Sequence, residues 1–144
     1  MLKVIFFTAS PEDFNLSYRH SDFPTDWIIL EVGFKYSPKP QEDISALIEQ
    51  NSEYRKAHQP QGIRTAGSTF KNPAGLAAWK LIKESGAAEF AVGGAKMSSV
   101  HCNFLQNEGT SAADIETLCQ KITQAVWDKT GVQLEMEVKK VGKD

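Results

Sequence analysis

The strongest hydrophobic periodicity lies toward the C-terminal end. Ile115, Leu118, Cys119, Ile122 and Val126 recur at helical spacing. Ser111 stands ahead of them with Asp114 three residues later, a variant of the capping box, and Gly131 follows as a stop. Val132, Leu134, Met136 and Val138 then alternate with Gln133, Glu135, Glu137 and Lys139. That period of two predicts a half-buried strand with both glutamates on its polar face. A second helix is expected after the breaker Ser37-Pro38-Lys39-Pro40, with Ile44, Leu47 and Ile48 on one face and an end at His58-Gln59-Pro60-Gln61-Gly62. A third is expected from Asn72 as N-cap and Pro73 as first helical residue, carrying Leu76, Trp79 and Ile82 and closed by Gly86.

The remaining apolar runs read as strands. Residues 1–8 are short, β-rich and followed by Pro11-Glu12-Asp13, which suits a strand better than a signal peptide. Residues 9–26 are loop-like. Residues 27–34 are almost wholly apolar, which predicts a strand buried on both faces. Phe90-Ala91-Val92 and Asn103-Phe104-Leu105 are shorter apolar stretches, separated by Gly93-Gly94 and Ser98-Ser99. Helices and strands that do not alternate strictly place the chain in the α+β class.

Composition narrows the functional classes. Of 144 residues, 41% are hydrophobic and 24% charged, with a formal net charge of -2. This excludes a collagen-like or disordered chain and lacks the basic excess of a nucleic-acid binder. No segment has the length of a membrane-spanning helix. Cys102 and Cys119 form no C-x-x-C pair and no histidine stands at metal-ligand spacing, so no metal site is expected and a reducing, cytoplasmic setting is.

Few stretches could carry chemistry. The run from Gly62 to Thr69 nearly spells a phosphate-binding loop, but Ser68 replaces its lysine and removes the charge contact to the phosphates. Gly67-Ser68-Thr69-Phe70-Lys71-Asn72-Pro73 sets a hydroxyl, a cation and a helix start together. It reads either as an anion site or as a tight turn with a good cap. Glu135 and Glu137 are candidate acid–base groups or plain surface glutamates. His101 is a candidate ligand contact or a histidine satisfying a backbone group. Arg19 could clamp a carboxylate or simply face solvent.

These stretches together resemble one family. The run Ala66-Gly67-Ser68-Thr69-Phe70-Lys71-Asn72-Pro73-x-Gly75 is followed by Ala78-Trp79-x-Leu81-Ile82, by Gly93-Gly94-Ala95-x-Met97-Ser98-x-x-His101-x-Asn103-Phe104, and by Gly131-Val132-x-Leu134-Glu135-x-Glu137-Val138. Tyr18-Arg19-His20-Ser21 and Gln59-Pro60 precede them in the expected order. In this the chain is similar to the UDP-N-acetylenolpyruvoylglucosamine reductases, the MurB family, in the form lacking an extra substrate-covering loop.

The resemblance implies an oxidoreductase of peptidoglycan synthesis that reduces UDP-N-acetylenolpyruvoylglucosamine to UDP-N-acetylmuramate with NADPH through FAD. It implies Ser68, Glu137 and Arg19 as catalytic residues, Ser68 donating a proton and the other two stabilising the enolate. It implies Tyr18, Lys71, Asn72 and His101 as substrate-binding residues. It further implies residues 1–40 as the C-terminal end of a FAD-binding domain of the PCMH-like kind, and residues 41–144 as the substrate-binding domain. Nothing in the chain matches the family's glycine-rich flavin-binding segment. Two expectations follow: a reductase whose flavin domain lies elsewhere, for instance on a separate polypeptide, or a UDP-sugar-binding module without independent catalysis. An exposed apolar patch near residues 1–8 and 27–34, or a contact with another chain covering it, is expected with either.

Overall fold

The structure is a computed structural model and describes residues 5–142. The chain divides into two compact units, one ending at Pro38 and one beginning at Lys39.

The first unit has little regular structure. A 3-10 turn covers Pro11–Phe14, and a two-residue hairpin joins Ser17 to His20 through reciprocal backbone hydrogen bonds of 3.1 and 3.2 Å. Phe7, Phe14 and Phe23 gather edge-on around Trp27, with Phe7 and Trp27 centroids 4.4 Å apart. The loop expected over residues 9–26 is thus a turn-rich wrap around Trp27. The strand expected over residues 27–34 does not form, and those apolar side chains face outward: Ile28 is 83% exposed and Phe34 83%. A strand needs a neighbour for its backbone groups and a layer over each apolar face, and the first unit's described residues supply neither. The strand expected over residues 1–8 lies partly outside the described residues, and from residue 5 onward it too has no regular structure. Ile5, Phe6 and Phe7 are exposed, which completes the expected apolar patch.

The second unit opens with helix α1, Gln41–His58, where the Ile44–Leu47–Ile48 pattern placed a helix. None of its residues is buried, so that apolar face carries no packing here. The rest of the unit holds a four-stranded antiparallel sheet. Its strands are β1 (Thr65–Ser68), β2 (Ala91–Val92), β3 (Ala95–Met97) and β4 (Phe104–Asn107), in the order β1-β4-β3-β2. Helices α2 (Ala78–Glu84) and α3 (Ala112–Thr130) pack on one another, and α3 also covers β2 and β3. The second half of the run from Gly62 to Thr69 is the strand β1, which removes the phosphate-loop reading on geometry as well.

The core follows the α3 periodicity. Leu118, Cys119, Ile122 and Val126 are all buried, against Leu81, Ile82, Ala95, Met97, Leu105 and Leu134. Removing each large aliphatic side chain from water contributes about 1.5–3 kcal/mol. Ser111 sits at the N-cap and Gly131 ends the helix at φ 70, as expected. The capping box does not close. The Asp114 carboxylate instead accepts the Gly94 N–H at 3.2 Å and ties α3 to the β2–β3 turn.

Two other elements differ from expectation. The α2 helix begins at Ala78, five residues beyond Pro73. Residues 73–76 form a turn closed by Leu76 N–H on the Pro73 carbonyl at 2.9 Å, with Gly75 at φ 70 in its third position. A type II turn requires that positive φ, and it interrupts the helix before it can start. Leu76 is left half exposed, outside α2. Gly86, at φ 76, does close α2 as expected. The segment 132–139 is not a full strand. It makes one bridge, Phe70 to Met136, and buries Leu134 with Val132 and Met136 half-buried beside it.

Candidate functional site

Four of the residues singled out by the sequence, Ser68, Lys71, Asn72 and Glu137, lie on or beside the segment that continues β1. Ser68 ends that strand, paired with Phe104. Between the pairs Thr65–Gln106 and Ser68–Phe104 the first strand advances three residues and the second two. One extra residue is therefore taken up in β1, where Gly67 sits at φ 84. A bulge of this kind bends the strand and redirects the side chain beyond it, here Ser68, which is half-buried.

Residues 69–71 run between two other segments. On one side Thr69 N–H donates to the Asn103 carbonyl at 2.8 Å and Leu105 N–H donates to Thr69 Oγ1 at 3.2 Å. On the other side Glu137 N–H donates to the Thr69 carbonyl and Lys71 N–H to the Glu135 carbonyl, both at 2.8 Å. Ser68, Lys71, Asn72 and Glu137 are thereby brought to one place from stretches over sixty residues apart. Thr69 and Phe70, buried at 1% exposure each, are the rivet beneath them.

The individual side chains have defined partners. Lys71 Nζ pairs with the Glu135 carboxylate, which is largely exposed. Any anion drawn to Lys71 must compete with that carboxylate. Asn72 is not the N-cap of α2, which is Ala77, but its Oδ1 accepts the Ala78 N–H at 3.0 Å across the intervening turn. Glu137 is half-buried, where the alternation had placed it on the solvent face with Glu135. His101 packs edge-on to Phe104 at 5.0 Å and to Trp79 at 6.3 Å. Burial holds its imidazole below the ordinary histidine range, with His58 a smaller contribution in the same direction.

Tyr18 and Arg19 belong to the first unit and form the tip of its Ser17–His20 hairpin. Arg19 takes φ 57, a left-handed conformation uncommon for a residue with a side chain. Its guanidinium lies over the Tyr18 ring at 5.1 Å. Asp22 braces the turn, accepting from Asn15 Nδ2 and pairing with His20 Nε2 at 3.0 Å.

The sequence reading did not single out Thr69 or Asn103. Asn103 is 4% exposed, and its side chain grips both backbone groups of Phe70: Oδ1 accepts the Phe70 N–H at 3.0 Å and Nδ2 donates to the Phe70 carbonyl at 2.9 Å. The available signal was a polar residue inside an apolar run, Asn103-Phe104-Leu105, which predicts a buried amide with a fixed partner.

The Gly93–Gly94 pair does not form a cradle for a dinucleotide diphosphate. A Cβ on Gly93 would meet the Asp114 carboxylate at 2.2 Å, and one on Gly94 would meet the Gly109 backbone nitrogen at 2.3 Å. The space a diphosphate would need at this glycine pair is filled by a carboxylate and by backbone, and the carboxylate would repel it. Among the described residues no cluster of three or more metal-ligating side chains occurs, and no helix is long and apolar enough to cross a membrane.

The chain is similar to known proteins over most of its length. The family model described as UDP-N-acetylenolpyruvoylglucosamine reductase, C-terminal domain, matches residues 59–141. A protein of that reductase name from Paramagnetospirillum magneticum is 41% identical over 133 residues, 92% of this chain and 43% of the relative. One from Sphingopyxis alaskensis is 41% identical over 137 residues, 94% and 46%. The crystal structure of the reductase MurB from Thermus caldophilus superposes with a TM-score of 0.76 at 33% identity, covering 91% of this chain and 47% of that one. The chain thus spans less than half the length of these relatives. The match runs through the riveted segment, the sheet and α3, and on that ground the chain belongs to the UDP-N-acetylenolpyruvoylglucosamine reductase family, whose C-terminal domain it carries.

Proposed function

We propose that this chain supplies the substrate-binding and proton-delivering part of a UDP-N-acetylenolpyruvoylglucosamine reductase, an oxidoreductase of peptidoglycan precursor synthesis. The observation that carries the reading is the convergence of Ser68, Lys71, Asn72 and Glu137 around the buried Thr69–Phe70 rivet. Residues 1–40 are read as the end of a flavin-binding domain and residues 41–144 as the substrate domain, in keeping with the division after Pro38.

The chemistry asks for these groups. Adding a hydride equivalent to the vinyl carbon of an enolpyruvyl ether leaves an electron pair beside a carboxylate. That charge must be held and then protonated. Ser68 gives its hydroxyl proton to the neighbouring carbon, the one that bears the carboxylate and holds that electron pair. Arg19 stabilises the enolate by its charge as it forms, and Glu137 does so as a carboxylic acid that donates a hydrogen bond to it. Tyr18, Lys71, Asn72 and His101 bind the substrate, with Lys71 exchanging its Glu135 partner for a substrate anion. FAD and NADPH are the expected hydride source. The Gly93–Gly94 pair does not fit a flavin diphosphate, so no step through the flavin is assigned to these residues, and the reading takes the flavin-binding half from elsewhere in the assembled reductase.

That misfit favours a second reading, in which this chain alone binds the UDP-sugar and catalyses nothing. Purified chain that stays colourless with added FAD, yet binds UDP-N-acetylenolpyruvoylglucosamine in calorimetry, supports it. For the reductase reading, Ser68→Ala is placed in a reductase assembled with a flavin-binding half. The expected result is a kcat lower by about 10²–10⁴-fold, the usual contribution of a positioned general acid, with KM little changed. A kcat within tenfold of the parent removes Ser68 as proton donor.

A further inference from the structure

We propose that Asn103 is the positioning residue of the site, fixing both the segment that carries Ser68 and the ring of His101, and that it presents His101 as a neutral donor of its Nε2–H to an acceptor oxygen of the ligand. The last clause rests on the substrate-binding role proposed above; the first two do not.

The geometry is concentrated in one residue. Asn103 closes the Phe70 N–H and carbonyl with its side-chain amide and takes the Thr69 N–H on its own carbonyl. Three hydrogen bonds from one residue thus hold the two positions directly after Ser68. The fourth group, the Asn103 backbone N–H, donates to His101 Nδ1 at 3.2 Å. A ring nitrogen that accepts a hydrogen bond carries no proton, so the single proton of the neutral imidazole sits on Nε2. His101 Nδ1 cannot serve as a base or donor while this bond stands. Phe104 and Trp79 fix the plane of the ring, and Phe104 is also the cross-strand partner of Ser68. The distance between Ser68 and His101 is therefore set by Asn103 and its neighbour, with no flexible connection between them.

An asparagine suits this position chemically. The two Phe70 groups ask for one acceptor and one donor on the same short planar side chain, which an amide offers and an ionised carboxylate does not. Aspartate, with acceptors alone, would turn an oxygen toward the Phe70 carbonyl. Burial makes that mismatch costly, because no water is there to relieve it.

The test begins with the unaltered chain, so that it is independent of catalysis. Long-range proton–nitrogen NMR at a pH where histidines are neutral should show His101 wholly as the Nε2–H tautomer. An Nδ1–H tautomer, or a rapidly exchanging mixture as in a free histidine, overturns the proposal. Asn103→Ser should then speed amide hydrogen exchange at Phe70 by about tenfold or more, through loss of the side-chain bonds, while the His101 tautomer, held by a backbone N–H that serine keeps, stays Nε2–H. Unchanged exchange at Phe70 overturns the positioning role. If Asn103→Ser does not fold, Asn103→Asp is compared at pH values where the new carboxyl is neutral and charged. Protonation restores one donor and should restore the Phe70 protection, and no restoration overturns the proposal. If the tautomer and exchange results hold while the chain fails to bind UDP-N-acetylenolpyruvoylglucosamine, the function reading falls and the positioning role stands.

Discussion

Gly94→Ala offers a direct measure of how tightly the sheet is drawn to its neighbouring turn. Gly94 is the second residue of the two-residue loop between β2 and β3, and only Gly93 there needs a positive φ, at 53. Alanine at 94 therefore meets no left-handed backbone penalty, and sterics alone decide. Its Cβ would lie 2.3 Å from the Gly109 nitrogen and 2.6 Å from the Gly109 Cα, where ordinary contacts begin at 3.4 Å. The two backbones must separate by about 1 Å (3.4 less 2.3). A shift of that size breaks the Glu108 N–H bond to the Gly94 carbonyl, now 2.9 Å, and the Gly94 N–H bond to Asp114, now 3.2 Å. Each costs about 1 kcal/mol, the charged one somewhat more. Residual overpacking adds about 1–3 kcal/mol, and the stiffer unfolded chain returns about 0.4–1 kcal/mol. The net expectation is a loss of roughly 3 kcal/mol. Urea unfolding followed by far-ultraviolet circular dichroism would read it as a midpoint lowered by roughly 1–3 M at a slope of about 1–3 kcal/mol per molar. Gly109→Ala is the control: its nearest atoms stand at 3.3 Å, and it should cost well under half as much. A Gly94→Ala chain within 0.5 kcal/mol of the parent, or a Gly109→Ala chain that loses more, would refute the argument.

Two further outcomes test other parts of the structure. Burial pushes the Cys119 thiol from an ordinary 9.0 up to about 11. The unfolded chain then releases its proton first, so stability should fall as pH rises from about 9 to 11, by about 2–3 kcal/mol in all. Urea midpoints at pH 8.5 and 10.5 check this, and Cys119→Ala should flatten the dependence; an equal slope in both chains would remove Cys119 as the cause. Asn72→Ala deletes the acceptor for the Ala78 N–H and should cost about 1 kcal/mol, while Asn72→Asp keeps the acceptor and most of the stability. Equal loss in both variants would show that this acceptor is not what Asn72 contributes.

Legibility in the sequence differed by element and for physical reasons. The α3 helix could be read nearly to the residue, since Leu118, Ile122 and Val126 advertise its buried face and Gly131 its end. The extent of α1 was equally plain from its flanking prolines, yet its apolar stripe faces solvent. The start of α2 was misplaced because Gly75, which turns the chain at φ 70, looked like one more helical residue after Pro73. Strand 27–34 was expected from composition alone, and composition says nothing about whether a partner strand is present. At the site, Ser68, Lys71, Asn72, His101 and Glu137 were all picked out by motif. The bulge at Gly67 and the grip of Asn103 on Phe70 were not, because both are defined by segments more than thirty residues away.

What the sequence determined by itself is what the chain can satisfy locally: α1 and α3, the glycine stops, the Tyr18–Arg19 turn region, and the side chains available for chemistry. A helix closes its hydrogen bonds within four residues, so its evidence lies within reach of any short window. Tertiary structure alone decided the order of the four strands, the redirection of Ser68, the pairing of Lys71 with Glu135, and the grip of Asn103 on Phe70. Each of these depends on a donor and an acceptor that are distant in the chain, and no local pattern records which distant partner a backbone group will find.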